Sequence, residues 1–534
     1  MALHIDSLAL NLMLALAVMV SVAGAGCAAA LGISRRRLEG RQLLAYGIAA
    51  GIVLHALMGL IVAAFPYNYR QPAAVALMLS VNASAWWYWH SASIVKRLLV
   101  GGRWQINTML AAWGALSLLA ILATFLPVRL PQPLPDPMYV LKRDHLHVRM
   151  QALTGGLPAD NYLPYAVSEY FLRDIQLSQE RPLLPGQEIS NRPVLMALAV
   201  IPFRASLDPP PQHQGRLPRM NYVGISWPDA GAIGEDRYFR PFLTVASVLN
   251  ASVLMAFMLI LLELGLSRRY VLAGLLLLCS SPYILNQTIF TWPKMLAATF
   301  AILAAHAILF RRNFVLAGVL AALAYWSHPY AIVIAFSLGL CALAGDGLSR
   351  IRLRPAFMYG LSFSAAVLPW FLWSRLYLEI PSDLVQQNLG QGSTWIDLIW
   401  VRVMNFYTTL APNYLSSYPF DGEKFLQGSL VSLTGIVGLL FFLQSYAGCW
   451  KYRTEHRELV MFAIVIPAVL LIGVFGIPAV PALHGFQAVG PLVLALGLKW
   501  MEAEWKPGRL WLLVFAQLAI NAALIYFRMR SVVL

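Results

Sequence analysis

The sequence predicts an all-α polytopic membrane protein with about fourteen transmembrane helices. Three observations carry that prediction. The mean hydropathy of the 534 residues is +0.66, and only 12% of them are charged. Apolar stretches recur along the whole chain, and most are long enough to supply the roughly 20 residues that cross about 30 Å of hydrocarbon. Basic residues fall in every second gap between these stretches, as in loops retained on one side of a membrane.

The predicted spans are spread along the chain with one long interruption in the first half. They begin near Leu8, Leu43, Pro72, Asn107, Pro241, Tyr270, Ile289, Phe314, Pro329, Pro355, Leu426, Glu458, Pro481 and Trp511. The runs from Tyr270 and Phe314 are short, and each is interrupted by serine and proline, at Ser280-Ser281-Pro282 and Ser327-His328-Pro329. Because proline breaks the helical hydrogen-bond ladder, we expect half-helices or helix breaks at these two places.

Orientation follows from the arginines and lysines, which stay on the cytoplasmic side during insertion. The basic gaps hold Arg35 to Arg37, Lys96 with Arg97, Arg268 with Arg269, Arg311 with Arg312, Arg350 to Arg354, Lys451 with Arg453, and Lys506 with Arg509. The other gaps carry most of the acidic residues. This pattern predicts that both termini face outward, which in a bacterial inner membrane is the periplasmic side.

Charge and cysteine usage exclude several classes of protein. The net charge of +15 is dispersed through short loops, so it indicates orientation and contact with membrane lipids, with no nucleic-acid partner. The four cysteines show no paired spacing, which predicts neither disulfides nor a zinc site. No Asp or Glu lies near the middle of a predicted span, which disfavours an ion-coupled transporter.

Two of the gaps predicted to face outward are long enough to hold a functional site. The first covers residues 130–240 and opens with Lys142-Arg143-Asp144-His145 just after a membrane exit; we expect a folded surface module there. The second covers residues 379–425 and is rich in tryptophan and tyrosine. Polar residues also gather where predicted helices end, at Lys294, His328 and His484.

Several of these segments resemble motifs of the C-type glycosyltransferase (GT-C) superfamily, membrane enzymes that use polyprenyl-phosphate sugars. The lipid A aminoarabinose transferases and protein O-mannosyltransferases are similar in layout. The matching segments are Arg143 to Leu153, with Asp144 in the position of the catalytic acid, Asn191 to Leu195, Tyr238 to Leu243, Thr291 to Met295, Ser327 to Pro329, and His484 to Gln487. The chain departs from the pattern at Trp292, where many relatives have an acidic residue, and at His328, where relatives often have a lysine.

The resemblance implies a GT-C fold and a division of the chain into four parts. Residues 1–106 would form accessory N-terminal helices. Residues 107–378 would form the catalytic core, including the large periplasmic loop 130–240. Residues 379–425 would form a second periplasmic loop, and residues 426–534 the C-terminal helices.

The chemistry of sugar transfer gives the same residues a physical reason. Transfer needs a base for the acceptor hydroxyl proton and cations for the departing phosphate. Asp144 is the candidate base. The candidate phosphate-binding residues are Arg149, Arg192, Arg240, Lys294 and His328, where His328 must be protonated or donate an N–H. The candidates for a second acid or an acceptor site are Asp160, Glu235, Asp236 and His484. Asp144 together with Asp160, Glu235 or Asp236 could also hold one Mg²⁺ or Mn²⁺.

Each assignment has a structural competitor. Asp144 could be a solvated loop acid paired with Arg143, Arg192 and Arg240 could anchor helix ends at the headgroups, and Lys294 could extend to the surface. His328 could be a satisfied polar residue at a helix break.

Other functions also stay open. An O-antigen polymerase or ligase also fits a polytopic chain with large outer loops. A lipid or glycan flippase is a further alternative, which the apolar middles of the predicted spans disfavour. The sugar and the acceptor, whether glycan, lipid or protein, are not specified by these residues.

Overall fold

A computed structural model describes residues 7–34, 37–125, 163–175, 189–191, 193–207, 236–289, 291, 293–344, 352–379, 394–397, 399–400, 439–462 and 486–532. Helices dominate these ranges, and no strand occurs within them. The all-α prediction is therefore confirmed for the described part of the chain.

The first five helices form the N-terminal part of the bundle. They are α1 (Leu8–Ile33), α2 (Gly40–Ala64), α3 (Arg70–Ser91), the short α4 (Ile94–Leu98) and α5 (Arg103–Thr124). Ser7 caps the start of α1, because its side chain accepts a hydrogen bond from the Leu10 amide at 3.2 Å. Helices α1 and α2 touch backbone to backbone, because a Cβ built on Gly26 would lie only 1.9 Å from the Gly47 carbonyl oxygen. Glycine is required at such a contact.

Two helices come from the predicted outer module, α6 (Leu163–Arg173) and α7 (Leu195–Leu207). Helix α7 is apolar and buried. It packs along α2, where a Cβ on Gly59 would lie 1.9 Å from the Leu198 carbonyl oxygen and Phe203 stacks on His55 at 4.9 Å. Helix α6 packs against α7, and the ring centres of Tyr165 and Phe239 lie 5.1 Å apart. This module is thus partly built into the helix bundle, which the interpretation as a surface module did not anticipate.

The central helices are α8 (Asp236–Ala251), α9 (Val253–Glu263), α10 (Arg268–Ser280), α11 (Pro282–Ile289), α12 (Lys294–Leu309), α13 (Phe314–Ser327) and α14 (Ala331–Ala344). Helices α8 and α9 are joined at Ser252 and together provide one apolar span, Phe239–Glu263. Helices α10 and α11 meet at Ser281 with a bend of 61°. The breaks expected at Ser280-Ser281-Pro282 and at Ser327-His328-Pro329 are both present.

The remaining helices are α15 (Leu353–Phe371), which continues into a π-helical turn (Leu372–Tyr377), α16 (Leu439–Lys451), the one-turn α17 (Arg457–Val460), α18 (Phe486–Glu504) and α19 (Pro507–Val532). Within the described ranges, five helices are long and apolar enough to cross a membrane, or six if the bent pair α10–α11 counts as one span. Four further apolar helices are shorter: α7, α12, α13 and α14. The predicted total of about fourteen spans stays a prediction.

The basic gaps meet at one end of the bundle, which we call the basic end. Ion pairs and hydrogen bonds link them there: Arg97 with Glu39, Arg41 with Glu263, Arg312 with Glu458, Lys451 with Glu504, and the Ser267 amide with Glu502. The opposite end, which we call the Lys294 end, holds the start of α1, the end of α5, helix α6 and the start of α8, as the hydrogen bond from Thr244 to Asn11 at 2.7 Å shows for two of them. Within the described ranges, the helix ends that flank these basic gaps therefore lie at one end of the bundle, in agreement with the charge pattern.

Candidate functional site

Lys294 is buried at the start of α12. It follows Pro293, and only 7% of its surface is exposed. Asn250 of α8 holds this helix start in place, because its Oδ1 accepts from the Leu296 amide at 3.1 Å and its Nδ2 donates to the Thr288 carbonyl at 3.0 Å. A lysine that extended to the surface would be exposed, so the burial of Lys294 argues against that reading.

His328 lies at the break between α13 and α14, in extended backbone conformation. The ring is buried and stacks on Tyr330 at 5.2 Å. Its Nδ1 accepts a hydrogen bond from the Tyr330 amide at 3.3 Å. In the neutral ring this acceptor places the proton on Nε2, so that Nε2 is a donor. This tautomer provides the N–H that a phosphate-binding histidine needs.

Lys294 and His328 line one small cavity together with Gln487 of α18. The other walls are mainly small side chains of α12, α14 and α18: Ala297, Ala298, Ala331, Ile334 and Ala488. Gln487 is itself positioned by donating to the Gln287 Oε1 at 3.2 Å. The cavity volume is about 10 Å³, which is the room of about one water molecule. A phosphate group would therefore need these side chains to move apart.

The cavity is recessed because the helices beneath it are short. Helix α12 has 16 residues and α13 has 14, and both meet at the turn 310–313 of the basic end. At a rise of 1.5 Å per residue they reach only about 21–24 Å from that turn, against about 37 Å for the 25-residue span Phe239–Glu263. Lys294 and His328 thus lie at the same height, below the far end of the longer helices.

Arg240 occupies a different level of the bundle. Its guanidinium lies 4.3 Å from the centre of the Phe125 ring at the end of α5, and only 7% of the residue is exposed. Arg240 precedes Asn250 by ten residues on α8, which corresponds to about 15 Å along the helix. Burial under Phe125 argues against a role as a headgroup anchor. The structure brings Lys294 and His328 together at one cavity, and Arg240 is not among the residues that line it.

Most other predicted site residues lie outside the described residues. These are Asp144, Arg149, Asp160, Arg192, Glu235 and His484. Asp236 is the first residue of α8, and its side chain is not among those described. No group of three metal-ligating side chains comes together among the side chains that the structure describes. The acids named for Mg²⁺ or Mn²⁺ are not among these side chains.

A buried ion cluster between α6 and α7 was missed by the sequence analysis. Glu169 of α6 accepts from Arg173 Nε at 2.9 Å and lies 3.4 Å from Arg204 Nε of α7, and all three side chains are buried. Arg70 continues the network, with Asp174 at 2.9 Å and a hydrogen bond to the Leu172 carbonyl at 3.1 Å. One signal could have revealed it, since Arg204 is a lone cation in an apolar helix and such residues are rarely without function.

Two buried histidines inside the bundle were also missed. His55 of α2 bonds Ser21 of α1 through Nε2 at 2.9 Å and the Gly51 carbonyl through Nδ1 at 2.7 Å. His306 of α12 bonds the Tyr46 hydroxyl at 2.7 Å, and its Nε2 lies 3.4 Å from Glu263. These contacts cross-link helices by satisfying polar groups in an apolar environment.

Comparison of the chain with protein-family models, curated proteins and solved structures finds no match. The class of protein is therefore defined by its own residues: a helical protein with several apolar helices able to cross a membrane, and with a buried lysine and histidine facing one cavity.

Proposed function

We propose that the protein is a membrane-embedded glycosyltransferase of the GT-C type. It moves a sugar from a polyprenyl-phosphate donor to an acceptor hydroxyl at the Lys294 end of the bundle, with Asp144 as the base. In a bacterial inner membrane this end faces the periplasm. The acceptor is a glycan, a lipid or a protein.

The observation that carries the proposal is the shared cavity of Lys294 and His328. A lysine at the first residue of a helix adds its positive charge to the positive end of the helix dipole. The positive end of a helix and an ammonium group beside it both favour a phosphate. His328 adds an N–H donor from a second helix. The positive end, the ammonium and the imidazole all favour one negatively charged ligand at this cavity.

The recessed position suits a lipid-linked donor. Because α12 and α13 end below the far end of the longer helices, a phosphate bound there lies at a depth that a polyprenyl chain reaches from within the bilayer. A water-soluble nucleotide sugar would have to enter from outside to the same depth.

The proposed reaction is a single displacement at the anomeric carbon. Asp144 accepts the proton of the acceptor hydroxyl as its oxygen bonds to the anomeric carbon. The bond between that carbon and the phosphate oxygen breaks, and polyprenyl phosphate leaves with the electron pair, so the configuration inverts. Lys294, His328 and the arginines Arg149, Arg192 and Arg240 stabilise the charge that develops on the phosphate. A divalent cation held by the acids of the outer loop would supply the same stabilisation.

The test compares surface glycans and polyprenyl-phosphate sugars by mass spectrometry in host cells that lack the protein. The cells are complemented with the intact chain or with Asp144→Asn, Lys294→Met, Lys294→Arg or Lys451→Met. Lys451→Met is the matched control, because it removes a lysine at the basic end that pairs with Glu504 at 3.4 Å. We expect the intact chain and the control to restore one sugar addition. Asp144→Asn and Lys294→Met should instead leave the lipid donor accumulated, and Lys294→Arg should restore part of the transfer.

Two results would redirect the proposal. Full restoration by a normally inserted Asp144→Asn variant would show that Asp144 is not the base, and it would favour the polymerase, ligase or flippase alternatives. Full restoration by Lys294→Met would show that the Lys294 ammonium is not needed for donor binding, and the proposed phosphate contacts would then come from the arginines.

A further inference from the structure

A second, larger cavity lies at the basic end of the bundle. It forms between the turn that joins α12 to α13 and the segment that joins α16 to α17, and its volume is about 400 Å³. Leu309 and Leu459 provide apolar walls, while Arg312, Thr454, Glu455 and Arg457 provide polar ones. The volume is within the range of about 300–1,000 Å³ found for small-ligand sites.

Two basic and two acidic side chains line this cavity: Arg312, Arg457, Glu455 and Glu458. Arg312 Nη1 donates to both carboxylate oxygens of Glu458, at 2.9 and 2.8 Å, and this pair ties the two segments together. Burial lowers the pKa of His456 below its usual value of 6.5, so its ring is neutral at pH 7. The other charged groups that line the cavity are the exposed guanidinium of Arg457 and the carboxylate of Glu455. The Glu455 side chain is 64% exposed, and its Oε1 lies 3.5 Å from the His456 Nε2. The cavity therefore presents one positive and one negative group.

The residues beside the cavity are of the kind that membrane proteins place at the level of the lipid headgroups. Trp450, at the end of α16, is 71% exposed, and the Arg453 guanidinium lies 4.3 Å from its ring centre. Exposed tryptophans of membrane proteins concentrate at the membrane–water interface, where cations accompany them. Thr454, the next residue of the same turn, lines the cavity. A ligand that enters here meets polar groups at the interface and leucine side chains beneath them.

We propose that this cavity binds the headgroup of a phospholipid that carries both a phosphate and a primary ammonium, as phosphatidylethanolamine does. Arg457 and the Thr454 hydroxyl bind the phosphate, and Glu455 accepts from the ammonium. The acyl chains leave along Leu309 and Leu459 into the bilayer. Phosphatidylglycerol offers no cation to Glu455, and the quaternary ammonium of phosphatidylcholine has no N–H to donate. The site is independent of the proposed transferase reaction, which takes place at the other end of the bundle.

The test is lipid binding to the purified full-length chain, measured by native mass spectrometry in detergent. Phosphatidylethanolamine, phosphatidylcholine and phosphatidylglycerol with identical acyl chains are titrated in parallel. We expect phosphatidylethanolamine to bind about fivefold more tightly than the other two, the size expected of one partly exposed charge pair. Glu455→Gln should remove this preference, and Arg457→Gln should weaken all three lipids by about the same factor.

The matched controls are Glu504→Gln and Arg509→Gln, which remove exposed charges at the basic end outside the cavity; both should bind like the intact chain. Soluble glycerophosphoethanolamine, which lacks acyl chains, should displace the bound lipid. An unchanged preference in Glu455→Gln, tightest binding of phosphatidylglycerol, or no displacement by the soluble headgroup would each overturn the proposal.

Discussion

The contact between α1 and α2 offers a sharp test of how the bundle is packed. Gly26→Ala adds a single methyl group at the point where a Cβ would lie 1.9 Å from the Gly47 carbonyl oxygen and 2.6 Å from the Gly51 amide nitrogen. A carbon and a carbonyl oxygen approach comfortably to about 3.3 Å, so the two helices must separate by about 1.4 Å. All of these close atoms belong to the backbone, which cannot rotate away.

The expected loss of stability follows from this displacement. Overpacking of a filled interior costs about 1–3 kcal/mol. The separation also stretches the 2.9 Å hydrogen bond between Ser21 and His55, which joins the same two helices and is worth about 0.6 kcal/mol in a membrane. Alanine gains about 0.5–1 kcal/mol over glycine in a helix, which offsets part of the loss. We therefore expect a net destabilisation of roughly 1–3 kcal/mol.

The assay is the thermal transition of the purified protein in detergent, with Gly24→Ala as the matched control. Gly24 lies on the same helix two residues earlier, and a Cβ there would meet no atom within 4 Å. Gly24→Ala should leave the transition unchanged or raise it, while Gly26→Ala should lower it. Equal transitions for the two variants would refute the close approach of α1 and α2.

Three further predictions concern buried polar groups. Glu169→Gln leaves two buried arginines without their shared carboxylate, so it should destabilise the protein by about 3–5 kcal/mol. Asp174→Asn changes a side chain that is 60% exposed and should cost less than about 1 kcal/mol. Denaturation in detergent measures the stability of both variants. Asn250→Ala removes the two hydrogen bonds that hold the start of α12 and should cost roughly 1–3 kcal/mol, and a thermal transition equal to that of the intact chain would show that α12 does not depend on them. Burial lowers the pKa of His456 below 6.5. As the pH falls through 6.5, the unfolded chain therefore binds a proton on this ring that the folded chain does not bind. The contribution of His456 to stability is thus present above pH 6.5 and lost as the pH falls below it. The transition of the intact chain should therefore fall more steeply than that of His456→Gln when the pH is lowered from about 7.5 to about 5.5, and parallel curves would contradict the shift.

Helix positions and the two ends of the bundle were accessible from the sequence, because they depend on local properties. Hydropathy over about 20 residues identifies a span, and proline predicts where a helix stops, as at Ser281 and His328. The alternation of basic gaps likewise requires only the order of the loops, and the structure gathers those gaps at one end.

The limits of sequence reasoning appear in α7 and in the ion cluster beside it. Helix α7 is too short to span a membrane and belongs to a long polar loop. It packs against α2 because Gly59, more than 130 residues earlier in the chain, has no side chain and lets the α7 backbone come close. Glu169 and Arg204 are 35 residues apart, and no spacing rule brings them together. Their pairing exists only because α6 and α7 pack on one another.

The candidate site divides in the same way. The sequence by itself determined that this is a helical protein with apolar helices able to cross a membrane, and it singled out Lys294 and His328, because proline and a charged or titratable side chain stand out at the end of an apolar run. Only the tertiary structure decided that these two residues share a cavity with Gln487, that they are recessed, and that Arg240 lies on another level. Depth and proximity depend on how far each helix reaches and on what packs against its end, and those distances are properties of the folded bundle.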